Sequence, residues 1–102
     1  MTRNDKIAEI MGWGKDSHEL HILDEFNDEP EANRLAITKL LQARMVADGW
    51  IVEITNYIAA PFFCAMALHG KGGVGRTIAE ADTEPAALHA LFCKVFSIEG
   101  EG

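Results

Sequence analysis

Nine residues, HGKGGVGRT (69–77), hold four glycines, a lysine, an arginine and a threonine hydroxyl. These are the parts of a phosphate cradle. Such a loop offers glycine amides to the phosphates, a compact lysine charge to the outermost ones and a hydroxyl to the bound metal. Two details speak against it. The position before Thr77 is Arg76, whose planar guanidinium does not fill the place of an ammonium. The loop must also open a helix, so that phosphate meets free amides. Here RTIAEA alternates like a strand, and the next capping residues are Asp82 and Thr83. The expectation is a β-hairpin turn built on glycines, and ATP or GTP is not expected to shift the melting temperature. The alternative keeps the loop 70–76 as an anion holder, in which Lys71 and Arg76 bind a small molecule such as a signalling nucleotide.

Other residues capable of chemistry are scattered. HELH (18–21) is one residue short of the zinc-protease spacing, which sets two histidines a helical turn apart. His69 and His89 have no evident metal partner. Ser17 and Ser97 are the only serines, and neither sits in a nucleophile-elbow context. Nothing assembles nucleophile, base and oxyanion hole. The chain reads as a non-enzyme with no cofactor and no metal site. The densest charge is acidic: Asp24, Glu25, Asp28, Glu29 and Glu31 crowd ahead of a long helical pattern. They lack the fixed spacing of a calcium loop. They suit a helix N-terminus, where the dipole favours negative charge. They also form a candidate patch for docking the lysines or arginines of a partner.

The chain has 102 residues and a formal net charge of −7. That length makes one domain, 1–102, with 1–3 and 98–102 as frayed ends. The acidic balance disfavours direct nucleic-acid binding and suits a basic protein surface. The opening MTRNDKIAEIMGWG contains neither a secretory signal nor a membrane span. Cys64 and Cys93 sit among apolar neighbours and read as reduced, buried thiols of a cytoplasmic protein.

The elements that must hold these residues follow from periodicity. Asn4 or Asp5 caps a short helix ending at Gly12. Leu20 and Ile22 alternate with polar residues and suggest a short strand. Asn27 or Asp28 caps a long helix from Glu29 to about Ala47, with Pro30 in its first turn. Its apolar stripe is Ala32, Leu35, Ala36, Leu40, Ala43 and Val46, with Ile37 and Leu41 beside it. Asp48-Gly49 stops it. WIVEITN is a strand with Trp50, Val52 and Ile54 on one face. FFCAMALH is apolar on both faces and therefore central. VGRTIAEA is the third strand, and TIAEA within it is a candidate pairing edge for a homodimer. A last helix, capped by Asp82 or Thr83 and opened by Pro85, buries Ala87, Leu88, Leu91, Phe92 and Val95. A central strand apolar on both faces calls for cover on both sides. The expected fold is therefore α/β (α+β): a three-layer α/β/α sandwich with a small antiparallel sheet between helices. Both helices on one face would instead give two layers.

Three resemblances bear on this reading. KGGVGRT is similar to the variant phosphate loop of the ParA and MinD ATPases, KGGVGKT, but carries arginine for its lysine. The α-β-β-β-α order resembles a double-stranded-RNA-binding domain, yet ADTEPAA places acid where that family needs lysine. KIAEIMGW and GRTIAEADTEPAALHALFCKV together resemble the phage α/β/α ("ABA") sandwich domain family. The matching residues are Met11-Gly12-Trp13, Ala79, Ala81-Asp82-Thr83, Pro85, Ala87 and Leu88. NDEPEA departs from the PST-D that members often carry before the long helix. That resemblance implies a small phage or prophage protein acting in the host cytoplasm, with no catalytic residues to carry over. Members mostly have no assigned activity; the lack of an assembled site and the net charge of −7 point instead to a protein–protein role. Small acidic phage proteins of this kind resemble inhibitors of host defence, so its sharpest form is an anti-defence, anti-CRISPR-like inhibitor of a host nucleic-acid-binding complex.

Overall fold

Trp50 begins a run in which every second residue turns inward, and this run sets the architecture. The computed structural model describes residues 2–57, 62–69 and 76–98. Strands β1 (Trp50–Tyr57), β2 (Phe62–His69) and β3 (Arg76–Ala81) form one antiparallel sheet in the order β1-β2-β3. Ile54 faces Ala65, which faces Ala79; Glu53 faces Met66, which faces Ile78. β2 is central, as its two-sided apolarity requires. The mixed class and the antiparallel sheet flanked by helices are those expected from the sequence.

Alternation fixes the two faces. Trp50, Val52, Ile54, Phe63, Ala65, Ala67, Ala79 and Ala81 join the core. Ile51, Glu53, Thr55, Cys64, Met66, Leu68, Arg76, Ile78 and Glu80 point the other way. Helices α3 (Glu31–Ala47) and α4 (Glu84–Val95) pack on each other; α4 lies over β2 and β3, and α3 over β1. Both lie on the inner face. α1 (Arg3–Met11) and α2 (His18–Asp24) pack together, and α2 also meets α3. The second face of the sheet thus has no helical cover among the described residues. The layering is the two-layer alternative rather than one long helix on each side. Alternation showed that β2 was apolar twice over, but it carried no information on what would meet its outer face.

Local chemistry explains the boundaries. Thr2 caps α1 in a capping box with Asp5, so the cap lies earlier than Asn4 or Asp5. Gly12 (φ 78°) closes α1 in the left-handed region, where glycine carries no steric penalty. HELHILD is helical, not a strand. The Ser17 hydroxyl accepts from the Leu20 amide, and Leu20, Ile22 and Leu23 are buried. Asn27 and Asp28 fall in a 3-10 turn (Phe26–Asp28), so neither caps the long helix; Pro30 holds the N-cap place of α3 without a side-chain bond. Asp48 and Gly49 (φ 100°) end α3. Thr83 caps α4 by accepting from the Ala86 amide, and Pro85 lies in its first turn.

The core stripe of α3 differs from the expected one. Ile37, Thr38, Leu41 and Met45 are buried, whereas Leu40 (45% exposed) and Val46 (54%) face outward with Ala32, Ala36 and Ala43. The helix carries two apolar stripes on nearly opposite sides, and the bulkier one is buried because it removes more area from water. Thr38 joins it at no polar cost, since its hydroxyl donates to the Arg34 carbonyl at 2.8 Å. On α4, Ala87, Leu88, Leu91 and Phe92 are all buried, as the pattern required, together with Cys93. Both cysteines are free thiols; Cys64 is only half-buried. Order also reaches further than expected at both ends: Thr2 and Arg3 belong to the cap and first turn of α1, and Ile98 is buried. Among the described residues no helix is long and apolar enough to cross a membrane.

Candidate functional site

The acidic segment gains its geometry from an asparagine on another helix. The side-chain amide of Asn4 on α1 donates to the Leu23 carbonyl at 3.2 Å and to Asp24 Oδ1 at 3.0 Å. This ties the start of α1 to the end of α2. The chain then turns through Phe26–Asp28, with the Asp28 amide bonded to the Glu25 carbonyl at 2.8 Å. The result is a cleft of about 380 Å³ lined by Arg3, Asp24, Glu25, Phe26, Asp28 and His89 among others. Three of the five acidic residues singled out in the sequence therefore meet around one cavity. The other two lie outside its lining. Glu29 accepts from Asn33 Nδ2 at 2.8 Å, and Glu31 opens α3.

Two aromatic rings, Phe26 and His89, are part of the cleft's lining. The Phe26 ring stacks on the His89 imidazole, with centroids 5.2 Å apart. The Arg34 guanidinium lies 5.9 Å from the Phe26 centroid, within cation–π range. Burial, helped by the nearby Arg3 charge, lowers the His89 pKa to about 4. The imidazole is therefore neutral at pH 7. With one guanidinium and three carboxylates in the lining, the cleft carries a formal charge of about −2. His89 Nε2 and Arg34 Nε are buried without a hydrogen-bond partner, an arrangement that costs free energy until something supplies one.

Sequence reasoning had the acidic cluster but not the residues that shape it. Asn4 looked like a cap, and His89 like a solitary histidine. The one local hint is Phe26, a large aromatic inside the acidic run DEFNDE, where burial against another element was the only favourable outcome.

The remaining sequence features fall elsewhere. His18 and His21 lie on one side of α2, and with Lys15, Asp16, Ser17 and Asp24 they line a second, open cleft. Among the described residues no group of three His, Cys, Asp or Glu is placed to hold a metal ion. Arg76 and Thr77 lie in β3, so the glycine-rich stretch leads into a strand and not into a helix N-terminus. The hairpin turn and the anion-holding alternative both depend on residues 70–75, which lie outside the described residues. Trp13 is half-buried and packs against the core.

The chain matches no family model, no curated protein and no solved structure.

Proposed function

We propose that this protein works by binding another protein, and that the cleft beside Phe26 receives a basic side chain of its partner. The observation that carries this reading is the set Asp24, Glu25 and Asp28 around one cavity. None of the three forms an ion pair within the chain among the described residues, where Lys39–Glu84 and Arg44–Asp48 do. An arriving guanidinium would meet three carboxylates without ion-pair partners of their own among the described residues, which its planar fork can engage in pairs. The net charge of −7 draws a basic partner from a distance. The reading is non-catalytic, because the cleft offers a half-buried, neutral histidine and, among the described residues, no nucleophile beside it.

The resemblance to the phage α/β/α family extends the proposal. Within it, the basic partner is a host nucleic-acid-binding complex, and the protein is a phage-encoded inhibitor working in the host cytoplasm. The test is titration of an arginine-rich peptide into the protein, at low and high salt. Binding that weakens with salt and is abolished in Asp24→Lys/Glu25→Lys/Asp28→Lys supports the cleft. A control with Glu9, Asp16 and Asp82 changed to lysine matches the change in total charge; equal loss in both variants would reduce the effect to bulk charge and remove the cleft from the argument.

A further inference from the structure

The outer face of the sheet is apolar at its centre and charged at its rim. Met66, Cys64 and Leu68 of β2 run down the middle, flanked by Ile51 (54% exposed) on β1 and Ile78 (40%) on β3. No helix covers them among the described residues. Charge is confined to the two edge strands, with Glu53 on β1 and Arg76 and Glu80 on β3. None of these three forms an ion pair within the chain among the described residues, where Lys39–Glu84 and Arg44–Asp48 do.

The charges on β3 are placed antisymmetrically. Arg76 and Glu80 lie two residues to either side of Ile78 and on the same face, about 7 Å from it in opposite directions at ~3.3 Å per residue. A two-fold axis in the plane between two sheets, crossing the strands at Ile78, maps Arg76 of one copy onto Glu80 of the other, and the reverse. Because Ile78 is the register partner of Met66, the same axis stacks Ile78 on Ile78 and Met66 on Met66. Leu68, beside Arg76, then meets Cys64, beside Glu80. We infer that the outer face is an isologous interface and that its occupant is a second copy of this chain, packed sheet to sheet.

The edge of β3 is a poorer interface. Lys94 Nζ donates to the main-chain carbonyl of Ile78 at 2.8 Å, and a lysine over an edge strand obstructs strand addition. The face, three strands by six residues, has a footprint of about 300 Å². As a projected area that is small beside the roughly 800 Å² of accessible surface per partner in a standard interface, so the association is weak and reversible. One feature of the geometry opposes association: the axis also brings Glu53 towards Glu53 at the rim.

Analytical ultracentrifugation across concentration tests the inference, with circular dichroism confirming that each variant is folded. The wild type rises from the 11.2 kDa monomer towards twice that mass. Arg76→Glu and Glu80→Arg each weaken self-association at least tenfold, and mixing those two variants restores it, since one then carries two acids and the other two bases. The double variant R76E/E80R associates like the wild type, and Glu53→Gln associates more tightly. A monomer at every concentration overturns the inference, as would be the case if this face served a different protein. So does a dimer indifferent to these substitutions, or single-variant losses that neither mixing nor the double exchange repairs. The cleft residues are untouched by these variants, so peptide binding and self-association fail independently.

Discussion

The Phe26 ring lies on the His89 imidazole with 23° between the two planes. This stack joins the acidic turn to α4 and depends on His89 remaining neutral. Its pKa, lowered to about 4 mainly by burial, lies below the ordinary 6.5. The unfolded chain therefore takes up this proton first. The neutral-histidine contribution is complete above about pH 6.5, is lost as pH falls towards 4, and is level below that. Its size is on the order of 3 kcal/mol. Urea titrations between pH 7 and pH 4 are expected to show this loss in the wild type, and a correspondingly flatter profile in His89→Gln. Parallel profiles for the two proteins would contradict a neutral buried ring.

Asn4 is the tie between α1 and the acidic turn. Asn4→Ala removes the bonds to Leu23 and Asp24 and is expected to cost about 1 kcal/mol of stability. It should also weaken arginine-peptide binding with no change in net charge. Retained binding at reduced stability would mean that the rim holds its shape without the tie.

Thr83 is a cap whose removal is readable in isolation. Thr83→Ala deletes the acceptor for the Ala86 amide and should lower stability by about 1 kcal/mol, with Thr83→Ser close to wild type. Chemical denaturation of the three proteins checks the order.

The two thiols should separate kinetically. Burial raises the Cys93 pKa, whereas Cys64 is only half-buried on the outer sheet face. Thiolate is the reacting form, so iodoacetamide should label Cys64 first under native conditions and Cys93 only after unfolding. Mass spectrometry of the digested protein gives the order. Slower labelling of Cys64 at high protein concentration would accompany sheet-to-sheet pairing.

On the inner face, Ala65, Ala67 and Ala79 are almost fully buried beneath the helices. Ala67→Leu inserts three carbons where there is no room and should destabilise the fold by about 1–3 kcal/mol. Thr55→Leu, on the exposed face, should leave thermal stability nearly unchanged. Melting curves for the pair test the assignment of the faces.

Much of this was legible in the letters. Alternation gave the three strands and the inward set of β1, but FFCAMALH, apolar on both faces, and RTIAEA, with Ile78 and Ala79 adjacent, left their inward faces open. Pro85 marked the start of the last helix, and the structure chooses Thr83 over Asp82 as its cap. HELHILD misled because Leu20 and Ile22 alternate over too short a span to separate a strand from a helix; the Ser17 cap and the Leu20–Leu23 spacing decide it. On α3 the periodicity was real but doubled, and only tertiary contact selects Ile37–Leu41–Met45 over Ala36–Leu40–Ala43. The acidic cluster was visible as composition. Its conversion into a cleft was not, because that depends on Asn4 and His89, far away in sequence and unremarkable in their own neighbourhoods.

The three buried alanines of the sheet have a consequence for how such a chain can diverge. Along each strand, odd and even positions live under different rules. At Ala65, Ala67 and Ala79 the inward letter is held to one methyl group by the helices above it, and at the other inward places to an apolar side chain that fits the core, while outward letters answer only to whatever they touch. A lineage of this protein can therefore exchange partners by rewriting every other residue of β1 to β3 and leave its own architecture intact.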